Sequence, residues 1–578
     1  MGLRRPGVGD QEKADELKKG RGRGCGVSIA AALLLWAAGF ATWAAQPPDA
    51  GQVLDTLKSP PALPAGKSNP LPTESGDRPA LSAPDSLKIP VKGFRIAGAR
   101  AFPESELQAL VQDGVGKELT LSELDASIRR ITAYYRNHGY LLARAYIPAQ
   151  DILDGVVEIV VLEGRLGKIN LENGSAVASG VIDKHLAALE SGKAVEDSSM
   201  ERPLLLLNDL PGVEVRSTLK PGASVGTSDL DVKVIGTGRV TGNIDADNFG
   251  NRYIGDLRLG ATMNVNSLAG LGDVLTFRGT DSGPGMSYGR LAWQTPVGGN
   301  GLKLGAAWSD LRYKLQKEFA PLLAHGSADI GTLWASYPFL RSQAANVNGQ
   351  LAYDRKKLED RVDSTLTLTQ KTIDAWTFGI SGDRLDSLGR GGLSTYNASW
   401  VAGHLALNPD AALIDQGAGG HQTEGSYGKL AFTAARSQRL AGNFALYGAL
   451  SGQYGTKNLD SSEKFSLGGA YGVRAYAQGE AAGDDAWLAT LELRYTIPNA
   501  PDVQVFGFID DGFSRIVHSP LVADTNNRRH LLGDGLGVQW LKAGDFALKA
   551  FVAWRGGAQP VSDVDRHPRV WLQMVKYF

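Results

Sequence analysis

From Thr237 to its last residue the chain alternates apolar and polar side chains, with breaks at Gly, Asp and Asn. A strand sends successive side chains to opposite faces, so a period of two describes strands with one wet and one apolar face. In Arg252 to Val265, Tyr253, Leu257, Leu259, Ala261, Met263 and Val265 share one face, and Arg252, Asp256, Arg258, Thr262 and Asn264 the other. In Phe546 to Arg555 the stripe Phe546, Leu548, Ala550, Val552 and Trp554 opposes Lys549 and Arg555. Soluble sandwiches alternate too, but they turn the apolar face inward and seldom end so many strands on Trp or Tyr. Charges inside and aromatics near strand ends fit a membrane barrel whose apolar face meets outer-membrane lipid. Strand candidates run from Thr237 to the closing strand Arg569–Phe578, about sixteen of them, an even number as bacterial barrels require. The expected fold class is a transmembrane antiparallel β-barrel over 237–578.

Composition removes several alternatives. A chain of 578 residues exceeds one soluble core, so several structural units are expected. A mean hydropathy of −0.16 is too polar for a bundle of membrane helices. Sixty Lys and Arg against 61 Asp and Glu leave a formal charge of −1, and nothing in that balance suggests a nucleic acid partner. The single cysteine, Cys25, can form no internal disulfide and no Cys/His metal cluster, so neither metal nor cofactor is expected. Gly66-Lys67-Ser68 is no phosphate loop, because Pro61 stands where the first Gly belongs. With no nucleophile elbow and no zinc spacing, an enzyme is not expected.

Residues 1–45 have the form of a secretory signal peptide. Seven Lys and Arg precede the apolar run Val27 to Phe40, and small residues follow, with cleavage expected near Ala44 or Ala45. Residues 46–90 are rich in Pro, Ser, Gly and Ala and read as an extended linker. One island, Asp49 to Lys58, sets Val53, Leu54 and Leu57 at helical spacing. So short a helix is marginal in water and needs a surface to dock on.

Two α/β units fill the space before the barrel, at 91–164 and 165–236. The first reads as strand, helix, helix, strand, strand: Val91 to Ala97, a helix opened by Pro103, a second from Leu121 to His138, then Leu142 to Pro148 and Val156 to Leu162. Thr120 can cap the second helix, on which Leu124, Ile128, Ile131 and Tyr135 recur at helical spacing. The same order returns from Arg165, forming a tandem array. Each copy is expected to carry a three-stranded sheet with an open edge to which a foreign strand could add.

The longest loop that carries chemistry, 455–486, joins the expected eleventh and twelfth strands. Its Gly-rich centre holds Tyr471, Val473, Arg474 and Tyr476, so one cation is bracketed by apolar groups. Such an arginine suits burial in a polar cavity, where a guanidinium needs a carboxylate. In Val503 to Gly512 the even positions Gln504, Phe506, Phe508 and Asp510 share the face opposite Val503, Val505 and Ile509. Asp510 is therefore expected to face the lumen, able to pair with Arg474 in bidentate fashion. On periodicity alone the blander reading leads, with Arg474 just an extracellular loop charge and Asp510 a lumen residue among many.

The segments Ser462 to Tyr476 and Phe508-Ile509-Asp510-Asp511-Gly512, with paired POTRA-like repeats upstream, resemble the outer-membrane transporters of two-partner secretion within the BamA-like superfamily. The usual family pattern is Val-Arg-Gly-Tyr/Phe, and here Ala475 replaces the Gly. The resemblance implies that Val473, Arg474 and Tyr476 lock against Phe508 and Asp510, holding the long loop inside the barrel. It also implies that Val53, Leu54 and Leu57 belong to a plug helix in the lumen. A closing strand that ends in Phe578 resembles the signal read by the barrel assembly machinery. The expected partner is a large exported protein, β-helical in kind, bound in the periplasm through its N-terminal secretion domain. A passive porin or an assembly factor for other barrels remains an alternative on these residues.

Overall fold

The computed structural model describes residues 47–57, 71, 73–74 and 88–578, apart from 141, 153, 194–196, 522, 523 and 525. The expected leader with Cys25, the Gly66-Lys67-Ser68 stretch and Lys58 lie outside the described residues. The first described elements are a short helix α1 (Ala50–Asp55) and a two-residue strand β1 (Thr73–Glu74).

The first α/β unit comprises β2 (Lys88–Val91), β3 (Gly93–Ala97), α2 (Glu104–Ala109), β4 (Lys117–Thr120), α3 (Leu121–Asn137), β5 (Arg144–Tyr146) and β6 (Val156–Leu162). The strand expected over Val91–Ala97 is split between β2, which pairs with β4, and β3, which joins the sheet β3-β6-β5. A capping box starts α3: the Thr120 side chain accepts from Glu123 N, and Glu123 accepts from Thr120 N at 2.8 Å. The apolar stripe of α3, Leu124, Ile128, Ile131 and Tyr135, is buried against the sheet.

The second unit repeats the order as β7 (Arg165–Gly174), α4 (Ser179–Leu186), α5 (Asp197–Asn208), β8 (Val213–Pro221) and β9 (Thr227–Gly236). Here the expected open edge is taken. Its sheet runs β1-β8-β9-β7, with β1 parallel to β8 through Thr73↔Thr218 and Glu74↔Leu219. The linker thus supplies a fourth strand and satisfies backbone groups that would otherwise face water.

Sixteen described strands then close into an antiparallel barrel in sequence order. They are β10 (Val240–Asp247), β11 (Arg258–Asn266), β12 (Val274–Asp281), β13 (Met286–Val297), β14 (Leu302–Lys314), β15 (Ala324–Arg341), β16 (Ala345–Val362) and β17 (Thr367–Asp386). The series continues with β18 (Gly392–Leu407), β19 (Gly425–Arg439), β20 (Phe444–Gly455), β21 (Asp485–Ile497), β22 (Ala500–Arg515), β23 (Arg528–Lys542), β24 (Phe546–Arg555) and β25 (Arg569–Tyr577). Pairing of β10 with β25 shuts the ring, and Phe578 extends the seam, its carbonyl accepting from Gly242 N at 2.9 Å. Among the described residues no helix is long and apolar enough to cross a membrane. The lipid-facing stripes are exposed, as with Val570, Leu572 and Met574 of β25.

One expected strand starts late. β11 opens at Arg258, not Arg252, because the Asn251 side chain accepts from Tyr253 N at 2.9 Å and turns the chain inward. Tyr253 is buried inside the barrel, not on the lipid face.

The second unit sits on the turns at the near end of the barrel. Arg341 makes a bidentate pair with Asp209 at 2.7 and 2.8 Å, and Arg202 donates to Pro338 O at 2.7 Å. A Cβ on Gly301 would meet the Leu206 side chain at 2.7 Å, so glycine permits that approach.

Candidate functional site

Two segments fill the lumen, each against its own wall. The connection between β20 and β21 starts at the far end of the barrel and folds inward. Its root is held by charge: Glu463, almost wholly buried, pairs with Lys356 at 2.6 Å and Lys429 at 2.9 Å. Asp484, on the returning limb, pairs with Lys464 at 2.7 Å. Glu480, also buried, accepts from Arg529 at 2.8 Å and from Ser562 N at 2.9 Å, tying the loop to its neighbour between β24 and β25.

At the tip, Arg474 meets two carboxylates. Its Nε and Nη2 donate to Asp510 at 2.8 and 2.7 Å, its backbone N–H donates to the same carboxylate at 3.1 Å, and Nη1 donates to Glu492 at 2.6 Å. Arg494 holds the other Glu492 oxygen at 2.6 Å, and Thr490 donates to Asp510 at 2.9 Å. The guanidinium carbon lies 3.4 Å from the centre of the Phe508 ring, a cation–π contact away from bulk water. Trp571 Nε1 donates to Arg474 O at 2.7 Å. Val473 is buried in the same cluster, and Tyr476 OH donates to Ala558 O at 2.8 Å. Val473, Arg474, Tyr476, Phe508 and Asp510 are therefore one assembly. Ala475 fits because Gly533 faces it, where an added Cβ would stand 2.6 Å from that of Ala475.

Helix α1 lies against the other wall. Val53 is buried, and Leu54 and Leu57 pack beside it in the apolar cluster that holds Leu311 and Tyr313 of β14, Ala328 of β15 and Leu358 of β16. Its N-cap, Asp49, accepts from Gln52 N at 3.0 Å and pairs with Lys371 at 3.0 Å. Lys371 also holds Asp460 of the loop root at 2.8 Å. Ala50 N donates to Asp360 at 2.8 Å, and Arg258 donates to Thr56 O at 2.6 Å. A Cβ on Gly51 would meet Ser462 N at 2.5 Å, so helix and loop root touch backbone to backbone.

Glu492, Trp571, Lys371, Glu463 and Glu480 were not among the residues expected from sequence. Glu492 was within reach: Thr490, Glu492 and Arg494 share the inward parity that identified Asp510. Among the described residues no group of three or more His, Cys, Asp and Glu could hold a metal ion.

The sequence profile of the haemolysin secretion/activation protein ShlB/FhaC/HecB family matches residues 226–540, and that of the ShlB-type POTRA domain matches 89–164. The heme/hemopexin transporter protein HuxB of Haemophilus influenzae (strain 86-028NP) is 28% identical over 85% of this chain and 88% of its own. The outer membrane transporter CdiB of Dickeya dadantii (strain 3937) is 22% identical over 75% and 78%. In fold, the chain resembles CdiB from Escherichia coli, with a TM-score of 0.64 at 19% identity over 92% of this chain and 96% of that one. It also resembles BamA from Haemophilus ducreyi lacking POTRA domains 1–3, with a TM-score of 0.51 at 16% identity over 84% and 100%. The chain belongs to the haemolysin secretion/activation protein ShlB/FhaC/HecB family: it is an outer-membrane β-barrel transporter of two-partner secretion, with its POTRA repeats in the periplasm and the loop of Arg474 entering the barrel from the cell surface.

Proposed function

We propose that the Arg474 loop and helix α1 are the two closures of a conduit through which an unfolded partner polypeptide leaves the periplasm. The observation that carries this reading is that each closure is tied to the wall by an ion pair whose cation, Arg474 or Lys371, is almost wholly buried. Removing one member of a buried pair costs roughly 3–5 kcal/mol, enough to release the tip of the loop while its root stays held by Glu463, Asp484 and Glu480. The mature chain is divided at 46–90, 91–164, 165–236 and 237–578 into plug segment, two POTRA repeats and barrel, after a cleaved leader at 1–45.

The partner docks its N-terminal secretion domain on the POTRA repeats, through apolar grooves and by adding a strand. On the second repeat that strand competes with β1 for the edge of β8. Helix α1 then withdraws, Lys371 loses Asp49, and the loop root at Asp460 to Ser462 is freed on that side. Folding of the cargo outside, into a large β-helix, supplies direction. The likeness to the heme/hemopexin transporter protein favours an exoprotein of haem capture as the first partner to test. Phe578 serves as the assembly signal for the barrel. The test is export itself: Arg474→Ala and Asp510→Ala should each abolish it while the barrel remains heat-modifiable in the outer membrane. Undiminished export by both would remove the pair from the mechanism.

A further inference from the structure

Lys549 of β24 points into the lumen beside the Arg474 assembly, on the parity of Phe551 and Ala553. Its rung, Gln504↔Gln539↔Lys549↔Gln573, otherwise consists of amides. Each is engaged elsewhere: Gln504 donates to Thr496, Gln539 to Gln504, and Gln573 to Tyr471 of the loop. The Lys549 ammonium lies 5.8 Å from the centre of the Phe506 ring and 5.3 Å from that of Phe551. Both distances approach the limit of about 6 Å for a cation–π contact. Among the described residues the ammonium makes no ion pair and no hydrogen bond.

The Phe551 ring is shared, since the Arg474 guanidinium carbon lies 5.7 Å from the same centre. Arg474 bridges Asp510 and Glu492, and Arg494 holds the second oxygen of Glu492. On the adjoining strands Asp245 pairs with Arg278 and Asp247 with Arg258, so neither is left over for Lys549. With the loop seated, three cations (Arg474, Arg494 and Lys549) therefore face two carboxylates, Asp510 and Glu492. With Arg474 gone, two cations face two carboxylates. The cluster carries a surplus charge when locked and is balanced when open. Across from Phe506, Phe508 and Asp510 the inward residues of β23 are Gly537, Gly535 and Gly533, so no β23 side chain stands between Lys549 and these carboxylates.

We propose that Lys549 is a positioning residue for unlocking: it takes over Glu492 and Asp510 as Arg474 lifts away, so that the departing loop leaves no uncompensated carboxylate in the lumen. This rests on the transport reading above, in which the loop leaves its seat. A buried charge stripped of its partner is strongly destabilised, and that penalty by itself would hold the loop shut. Arg494 can neutralise one of the two carboxylates and is already committed to Glu492. An ammonium on a flexible four-carbon stem can swing toward the vacated seat. Its resting contacts with two ring faces are weak and readily given up.

The test reads the loop without cargo, in the purified transporter reconstituted in liposomes. Val473→Cys places a thiol on the buried tip, the chain's own Cys25 lying in the expected leader. The probe is a methanethiosulfonate bearing a sulfonate, which reacts once the tip lifts. In that background Lys549→Met should slow labelling at least about tenfold, and Lys549→Arg, which keeps the charge, should recover most of the rate. With Glu492→Gln also present, Arg494 is free to neutralise Asp510, so Lys549→Met should change the rate less than about twofold. Faster or unchanged labelling in Lys549→Met would overturn the proposal, because loss of a mere packing group loosens the tip. An equal slowing with Glu492→Gln present would mean that Lys549 only repels Arg474, and the exchange of partners would fall. Export of the partner should drop in step with labelling. Full export beside slowed labelling would count against the transport reading while leaving the exchange itself standing.

Discussion

Arg474 and Asp510 share three hydrogen bonds, two from the guanidinium and one from the arginine's own backbone N–H, at 2.8, 2.7 and 3.1 Å. The carboxylate therefore fixes the loop backbone as well as the side chain. Arg474→Lys keeps the charge but cannot span Asp510 and Glu492 together, because an ammonium lacks the planar fork. Export should fall by about tenfold or more, as a loss of roughly 1.4 kcal/mol implies, with barrel assembly unchanged. Secretion assays beside heat-modifiability gels check both.

Glu492 is the second carboxylate on Arg474 and the partner of Arg494. Glu492→Gln leaves two guanidiniums competing for one amide oxygen. Export should drop by less than in Asp510→Asn, since Asp510 still holds the loop, and single-channel current should flicker more. The ratio of the two export rates checks the ranking.

Helix α1 is anchored at its start by Asp49 and Lys371 and fitted to the loop root by Gly51. Gly51→Leu drives a side chain into the Ser462 backbone and should expel the helix. Resting conductance in planar bilayers should rise several-fold over the parent, on the order of the cost of overpacking, about 1–3 kcal/mol. Lys371→Met should act in the same direction by leaving Asp49, Asp360 and Asp460 without their cation.

His185 in α4 is buried where the second POTRA repeat meets the barrel, and Gly299 of the barrel lies against its backbone. Burial, with the nearby charge of Lys303, holds its pKa below the usual histidine range. A depressed folded-state value means the unfolded chain takes up the proton first. Stability is therefore full above about pH 6.5, the ordinary histidine value, and falls as pH drops below it. Limited proteolysis of the purified protein should cut this repeat faster at acid than at neutral pH, and His185→Gln should flatten that difference.

The barrel could be read from sequence because its physics is periodic. Lipid on one side and water on the other impose a period of two, and the same parity turned Asp510 inward. That parity applied to Glu492 as well, but no unusual neighbour drew attention to it. Trp571 lies between the lipid-facing Val570 and Leu572 and points inward, where nothing local marks it as a partner of the loop. Lys371 and Glu463 carry no local signal at all, since their partners lie 322 and 107 residues away for Asp49 and Lys356. Strand β1 has two residues, too few for any pattern, and exists only because β8 offers an edge. Tyr253 was assigned to lipid because periodicity cannot see the turn that Asn251 makes.

The most direct measurement links α1 to the loop root by a disulfide. In Asp49→Cys/Ser461→Cys the thiols replace the N-cap carboxylate of the helix and the loop-root hydroxyl that donates to it, side chains that already meet. Export of the partner should stop when the pair is oxidised and resume when reductant is added to the cells. Undiminished export with the bond fully formed would mean that the cargo never uses the space the helix occupies.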